Sequence, residues 1–250
     1  MPNLKQLVNI KAKYADANTH VKSSEVKALM EAFDPNRIVK AFSFNEPKIQ
    51  KYVEYFKERK RVDAVLLFID VTYFSSRFKS KTANEIASFL DNYYDTVIPI
   101  IGKHGGEIEK IIGDGIICVF GEPFLTLSKE ELHREAEKCA MKIVSDLKGT
   151  IYESKVAFHY GEIMFYQNKS DEYYEFTMIG NALTELFRLE GVSHSNSVNF
   201  FTKTFYEELN VKDVTANSGG SGLPSWTLKS AEIVSLKGVT HTAIRRIEKQ

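Results

Sequence analysis

Two aspartates stand where the sequence predicts the ends of buried strands. Asp70 comes near the end of an apolar run that starts at Val62, and Asp114 lies between two glycines in a predicted hairpin. A carboxylate at the end of an apolar strand is destabilising unless another group balances its charge. Because the order strand, helix, hairpin brings the hairpin tip beside the end of the first strand, we expect the two carboxylates to converge. Such a pair predicts a site for one or two divalent ions such as Mg²⁺, which leaves coordination positions for substrate phosphates.

Each of these aspartates also has an ordinary structural interpretation. An aspartate at a strand end is usually a cap or turn residue, and Gly-Asp-Gly most often forms a simple hairpin turn. Backbone N–H groups in the turn after Asp70 offer a cradle for phosphates, which favours a functional interpretation. The residues alone leave both interpretations open.

The elements that position the carboxylates follow from the hydrophobic periodicity. Val62–Val71 predicts a buried central strand, and the stripes over Thr82–His104 and Ser128–Leu147 predict two long helices. Ser128 and Glu131 form a predicted capping box at the start of the second helix. The other predicted elements are strands at Glu107–Ile112, Ile116–Phe120, Lys155–Tyr166, Tyr173–Ile179, Ser197–Phe201, Trp226–Lys229 and Glu232–Leu236, and helices at Lys48–Lys60, Gly180–Glu190 and Thr202–Leu209.

The order of these elements predicts the fold class. Strand, helix, strand, strand, helix, strand is the βαββαβ arrangement of a ferredoxin-like core. We therefore predict an α+β fold with this core, extra C-terminal strands, and helices on one face of an antiparallel-rich sheet. Residues 1–60 contain no strand-like run and predict an N-terminal helical extension, whereas residues 61–250 form the main domain.

Composition excludes several classes of protein. The chain of 250 residues carries 33 basic and 33 acidic side chains, and this zero net charge argues against a nucleic-acid partner. Cys118 and Cys139 are predicted to be buried, reduced thiols. The longest apolar runs, such as Ala64–Ile69, are about six residues against the ~20 that a membrane span needs. With no signal peptide at its start, the sequence predicts a cytoplasmic protein without a membrane anchor.

A series of short motifs appears in one order along residues 62–245. Together they resemble the catalytic domain of the class III nucleotidyl cyclases, although each motif alone is weak. The motifs are Phe68-Ile69-Asp70 running to Phe74-Ser75, Gly105-Gly106, Lys110-Ile111-Ile112-Gly113-Asp114-Gly115, Phe120-Gly121, His159-Tyr160-Gly161, Ile179-Gly180-Asn181 running to Arg188-Leu189-Glu190, and Leu236-Lys237-Gly238.

The resemblance implies conversion of a nucleoside triphosphate to its 3′,5′-cyclic monophosphate and pyrophosphate. Asp70 and Asp114 would hold two Mg²⁺ or Mn²⁺ ions, with the carbonyl of Val71 as a further ligand. In the family two catalytic domains pair head to tail, so Arg188 would come from the partner chain and stabilise charge at the α-phosphate. A homodimer with two composite sites is the simplest assembly, because one chain carries all of these groups.

Three positions differ from the family pattern or carry a weaker assignment. Lys155 stands where many members have a phosphate-binding arginine, and it offers a point charge in place of a bidentate fork. Thr184 replaces the asparagine that stabilises the transition state, and its hydroxyl has a shorter reach. His159 is interpreted as a structural histidine of its strand.

The base of the substrate is left open by the residues. Lys110 and Thr177 occupy the positions that select a purine in the family, and they favour ATP. The substrate-binding loop Tyr73, Phe74 and Ser75 carries a bulky ring where the family has a small residue, which would shrink the base pocket. This loop, Thr184 and the absence of an attached sensor resemble the bacterial antiphage pyrimidine cyclases (Pycsar). Those enzymes make cyclic UMP or cyclic CMP for a separate effector protein.

Two further functions compete with an active cyclase. A non-catalytic nucleotide-binding domain of the same fold would explain Thr184. It would not explain two retained carboxylates, whose mutual repulsion has no use without cations. A diguanylate cyclase on a related core would need a Gly-Gly-Asp/Glu-Glu-Phe hairpin, and the sequence lacks one.

Overall fold

A computed structural model describes residues 46–168, 176–209 and 226–249. The helical segments predicted before residue 46, most of the turn predicted after Gln167 and the first residues of the strand predicted from Tyr173 lie outside these ranges. The chain divides into two compact units, of which the first comprises 1–60 and 164–179 and the second comprises 61–163 and 180–250. The proposed boundary at residue 60 between an extension and a main domain stays a prediction.

The described elements follow the predicted order closely. The strands are β1 Arg61–Val71, β2 Glu107–Ile112, β3 Gly115–Phe120, β4 Ser154–Gln167, β5 Phe176–Ile179, β6 Ser197–Phe201, β7 Trp226–Leu228, β8 Glu232–Ile233 and β9 Ala243–Lys249. The helices are α1 Glu46–Glu58, α2 Phe74–Arg77, α3 Ala83–Lys103, α4 Lys129–Leu147 and α5 Asn181–Glu190, and a helical turn covers 205–209.

The described part of the first unit consists of helix α1 and the antiparallel pair formed by β5 and the end of β4. Within it, β5 pairs antiparallel with the last residues of β4, so that Phe165 lies opposite Met178. The rings of Tyr55 and Phe56 in α1 lie 5.2 and 5.1 Å from the ring of Phe165 in edge-to-face contacts. The helix predicted at Lys48–Lys60 is confirmed as α1. Its aromatic contacts with Phe165 stabilise its packing against β4.

The second unit contains the sheet that carries the carboxylates. Its strand order is β2-β3-β1-β4-β6-β9-β7, with β8 paired to β9. The first four positions are those of the predicted ferredoxin-like core, and β1–β3 and β2–β3 are antiparallel pairs. The predicted α+β fold with extra C-terminal strands is confirmed.

Strand β1 is buried on both faces, which corrects the prediction that helices cover one face. Val65, Leu67 and Ile69 belong to the core cluster that also contains the buried faces of α3 and α4. Successive side chains of a strand point to opposite faces. Phe68 accordingly contacts Phe187 of α5, with ring centroids 5.4 Å apart. Helix α5 therefore covers the face opposite α3 and α4.

Two local predictions agree with the structure, and one strand was missed. The capping box of Ser128 and Glu131 begins α4, and Cys118 and Cys139 are free and buried. Sequence reasoning did not predict β9, although it pairs with β6, β7 and β8. Its two buried positions among charged residues gave too little alternation to indicate a strand.

No helix in the described ranges combines the length and the apolar character that crossing a membrane requires.

Candidate active site

The register of the sheet brings the two aspartates together. Ile69 in β1 lies opposite Ile116 in β3, so the tip of the β2–β3 hairpin falls beside Asp70. That tip is the pair Gly113 and Asp114, and Gly113 adopts a φ of 60°, which a glycine reaches without strain. The hydroxyl of Tyr94 in α3 donates a hydrogen bond to the Gly113 carbonyl and anchors the turn. The convergence expected from the element order is present.

The two carboxylates are in an unfavourable electrostatic environment. Burial, together with the negative charges of Asp114 and Glu190, raises the pKa of Asp70 to about 7 against the opposing charge of Lys155. Burial also raises the pKa of Asp114, and the charge of Glu190 adds to this effect. Part of the negative charge at this site is thus not balanced by the chain itself, and a bound cation would balance it.

Lys155 and Glu190 complete the cluster. The Nζ atom of Lys155, at the start of β4, lies 2.6 Å from Oε1 of Glu190 and 3.5 Å from Oδ2 of Asp70. The hydrogen bond to Glu190 and the neighbouring carboxylates raise the pKa of Lys155 although burial opposes them. Lys155 was a predicted site residue, whereas Glu190 was not. The signal that could have identified Glu190 was its place at the end of the Arg-Leu-Glu motif.

The loop after Asp70 changes direction sharply. Val71 is buried at the end of β1, and Tyr73 follows with left-handed backbone angles (φ 58°) and a side chain that is 74% exposed. Phe74 packs against Phe89 of α3, with ring centroids 5.8 Å apart, and Ser75 is exposed. Tyr73, three residues after Asp70, is therefore presented to solvent, and its neighbour Phe74 anchors the loop.

Helix α5 presents two predicted site residues on its outer face. Thr184 and Arg188 lie one turn apart and are both exposed, whereas Leu183 and Leu186 of the same helix are buried. The helix starts after Gly180, where an added Cβ atom would lie 2.7 Å from the carbonyl oxygen of Glu162. This close approach requires glycine at the helix start. Arg188 thus faces outward, and its role in a partner's site stays a prediction.

The two predicted base-selecting residues belong to different units. Lys110 is half-buried in β2 opposite Ile117, just after a bulge in the β2–β3 ladder. Thr177 lies in β5 of the first unit, opposite Tyr166 of β4. The roles of both residues remain predictions.

His159 is buried in β4. Its Nε2 atom lies 2.8 Å from Oε2 of Glu185 in α5, a contact that joins a strand to a helix. The interpretation of His159 as a structural histidine stays a prediction.

Comparison with known sequences gives distant relatives among the adenylate cyclases, and no family model matches the chain. Adenylate cyclase 1 of Rhizobium meliloti (strain 1021) is 22% identical over 195 residues, which cover 71% of this chain. The terminal-differentiation specific adenylate cyclase of Dictyostelium discoideum is 20% identical over 177 residues, or 69% of this chain. The aligned residues span 29% and 8% of those two proteins.

Solved structures share the fold. The adenylyl cyclase CyaB from P. aeruginosa superposes with a TM-score of 0.63 at 20% identity, covering 76% of this chain and 96% of that one. The catalytic core of a rhodopsin-guanylyl cyclase with converted specificity, in complex with ATPαS, superposes with a TM-score of 0.61 at 16% identity, covering 76% and 98%. This chain therefore has the fold of the class III nucleotidyl cyclase catalytic domain.

Proposed function

We propose that this protein is a nucleotidyl cyclase that converts a nucleoside triphosphate to its 3′,5′-cyclic monophosphate and pyrophosphate. The observation that carries the proposal is the half-buried pair Asp70 and Asp114 at one end of the sheet, where burial and mutual repulsion raise the pKa of Asp70 to about 7. A chain that needed only a turn at this position would gain nothing from opposing two carboxylates.

The donor set fits the metal that the fold implies. Two carboxylates and a backbone carbonyl are hard oxygen ligands of the kind that Mg²⁺ and Mn²⁺ prefer. Asp70, Asp114 and the carbonyl of Val71 would hold these ions. When bound, two such ions lower the pKa of the substrate 3′-hydroxyl and neutralise the triphosphate.

The chain's own residues would then position and stabilise the reacting groups. The 3′-oxygen attacks the α-phosphorus, the bond from that phosphorus to pyrophosphate breaks, and the hydroxyl proton leaves to solvent. Lys155, now held by Glu190 at 2.6 Å, would exchange this contact for a phosphate of the substrate. Arg188 of one chain would donate to the α-phosphate in its partner's site, with Thr184 adding a shorter hydrogen bond.

Within this activity we propose a pyrimidine triphosphate as the substrate, so that cyclic UMP or cyclic CMP would act on a separate effector in antiphage defence. The support is the bulky, exposed Tyr73 in the loop that follows Asp70 and a threonine at position 184. ATP is the second candidate, because the relatives named above are adenylate cyclases and because Lys110 and Thr177 suit adenine.

The test is a product assay on the purified full chain. The protein is incubated with MnCl₂ and ATP, GTP, CTP or UTP in separate reactions, and the products are resolved by mass spectrometry. The Asp70→Asn variant serves as the inactive control, because it keeps the shape of the side chain and removes its charge. We expect cyclic UMP or cyclic CMP as the main product of the wild-type chain.

The other outcomes are equally informative. Cyclic AMP as the main product would overturn the pyrimidine assignment and keep the cyclase. No cyclic product from any triphosphate, together with metal-dependent nucleotide binding that Asp70→Asn weakens, would overturn the cyclase and favour a non-catalytic nucleotide-binding domain.

A further inference from the structure

A second cluster of metal-binding side chains lies on another part of the second unit. His159 in β4, Glu185 in α5 and His241 before β9 each offer one ligand atom, and these atoms all lie within 4.8 Å of one another. The contact between Nε2 of His159 and Oε2 of Glu185 is 2.8 Å long. Three elements that are far apart in sequence thus place two imidazoles and a carboxylate in one spot.

We propose that His159, Glu185 and His241 form a binding site for a divalent transition-metal ion, with zinc as the best fit. Two imidazoles and one carboxylate are a common three-ligand zinc set, with a fourth position for water. Ligands 2.0–2.2 Å from a tetrahedral ion lie roughly 3.4 Å from each other. The His159–Glu185 distance of 2.8 Å is shorter than that value and the other separations do not exceed 4.8 Å, so small side-chain rotations would complete the site.

The surroundings hold the ligands in place. The ring of His241 stacks on Phe201 of β6, with centroids 4.4 Å apart and planes 10° apart. His159 makes an edge-to-face contact with the same phenylalanine, with ring centroids 5.4 Å apart. Neighbours that fix the orientation of a ligand ring contribute to metal affinity.

Glu185 connects this cluster to helix α5. It lies in α5 directly after Thr184 and one turn before Leu189, so a bound ion would tie this helix to β4 and to the segment before β9. The hard ions expected at Asp70 and Asp114 differ in kind from a zinc ion held by imidazoles. The inference does not depend on the proposed cyclase activity.

The experiment measures metal binding by the full chain in excess Mg²⁺, which occupies sites that prefer hard ions. Zn²⁺ is titrated into metal-free protein by calorimetry, and Co²⁺ is titrated as a spectroscopic probe of nitrogen ligands. We expect one Zn²⁺ per chain and an increase in Tm of about 5–10 °C at a hundredfold excess over Kd. The His241→Ala variant should bind Zn²⁺ at least 100-fold more weakly, beyond the roughly 10–100-fold effect of outer-shell changes.

A matched control is available at His194. Its Nε2 atom also lies 2.8 Å from a glutamate, Glu232, but among the described residues this pair has no second histidine within ligand distance. His194→Gln should leave Zn²⁺ affinity unchanged. His241 is partly exposed, so His241→Gln offers a second variant if the alanine variant is unstable. Equal Zn²⁺ affinity in the wild type and both His241 variants, or a wild type that binds no Zn²⁺, would overturn the proposal.

Discussion

Carboxylates in two regions of this molecule are in opposite electrostatic situations. Glu85 and Glu131 complete the capping boxes that begin α3 and α4. Each carboxylate accepts hydrogen bonds from the N-cap residue of its helix, which stabilise the charged form. The hydrogen bonds from Lys81 and Thr82 lower the pKa of Glu85 to about 2. At the end of β1, burial and the neighbouring acids raise the pKa of Asp70 to about 7.

The difference separates carboxylates that stabilise the fold from carboxylates that we propose to bind metal ions. The negative charge of a capping carboxylate is stabilised by hydrogen-bond donors of the chain itself. Such a carboxylate therefore stabilises the folded protein without a bound ligand. Asp70 and Asp114 repel each other and are balanced only in part, by Lys155. The fold therefore tolerates an unfavourable arrangement at one end of the sheet, which is typical of a functional site.

The largest effect is expected from removing one charge of the pair. Asp114→Asn should lower kcat/KM by at least ~100-fold, because it would remove a proposed direct metal ligand, and direct ligands matter at least as much as outer-shell groups. Tm in the absence of metal should stay equal or rise, since a repulsion has been removed. Steady-state kinetics and thermal unfolding of the same preparation measure both.

Asp146→Asn is the matched control for this variant. Asp146 is an exposed aspartate of α4 paired with Lys142 at 2.6 Å, and we expect no loss of activity on its substitution. If Asp114→Asn lost activity only in proportion to a loss of folded protein, the contrast between the two regions would fail.

The next effect concerns the exposed face of α5. Arg188→Ala should reduce kcat by about 10²–10³-fold, the size of effect seen when a donor to a developing negative charge is removed. Because Arg188 is exposed, Tm should hardly change. Mixing Arg188→Ala chains with Asp70→Asn chains should restore about a quarter of wild-type activity, because half of the dimers are mixed and each has one intact site.

This mixing experiment also tests whether the site is shared between chains. Two inactive variants cannot restore each other if Arg188 acts on the carboxylates of its own chain. Activity that stays at the level of the separate variants, in samples shown by size exclusion to contain dimers, would contradict a composite site.

A smaller effect is expected on the pH dependence of stability without metal. The folded-state pKa of Asp70 is raised above its usual 3.8, so between about pH 4 and 7 the folded protein binds more protons than the unfolded chain. Stability should therefore fall as the pH rises through this window, and Tm should fall by roughly 5–10 °C between pH 5 and 8. Asp70→Asn and added Mg²⁺ should each reduce the fall, as measured by thermal unfolding from pH 5 to 8.

Glu107 provides the internal comparison for this measurement. Burial alone raises its pKa to about 7, so it contributes a fall of the same sign. It lies at the opposite end of β2 from the hairpin tip, and Mg²⁺ should leave its contribution unchanged. Mg²⁺ should flatten the pH dependence of Tm in Glu107→Gln, which keeps Asp70, more than in Asp70→Asn. An equal effect of Mg²⁺ in the two variants would mean that the carboxylate pair is not its cause.

Much of the fold and part of the site could be predicted from local patterns. The run from Val62 and the capping box at Ser128 carry their structural signals within a few residues, and both elements appear where they were expected. The convergence of Asp70 and Asp114 followed from the element order alone. The ion pair of Lys155 with Glu190 could not be predicted, because it depends on how the end of α5 packs against the start of β4.

The same reason explains the other differences. The β1 run contains apolar residues at successive positions, which indicates burial on both faces, yet the sequence does not say which helix covers which face. His241 lies close to His159 because β9, which follows His241, pairs with β6. The pattern of β9 was too weak for this strand to be predicted. Both features depend on contacts between residues far apart in sequence, which local sequence patterns do not predict.

The smallest expected effect tests the other side of the comparison. The Thr82 side chain accepts a hydrogen bond from the N–H of Glu85 at 3.3 Å, and Glu85 in turn accepts one from the Thr82 N–H at 2.8 Å. Thr82→Ala should lower the free energy of unfolding by about 1 kcal/mol, the usual effect of losing an N-cap side chain. Chemical denaturation should show this shift, and kcat and metal affinity should stay at wild-type values.

Ser128→Ala repeats the test at α4, where the same two hydrogen bonds measure 3.3 and 2.9 Å. Both variants should lose stability and keep activity, the reverse of Asp114→Asn. A capping variant that lost activity while it remained folded would mean that the start of a helix and the carboxylate site are coupled. Since Tyr94 of α3 anchors the turn at Gly113, that coupling would have to pass through α3. Activity should then fall in Thr82→Ala and not in Ser128→Ala.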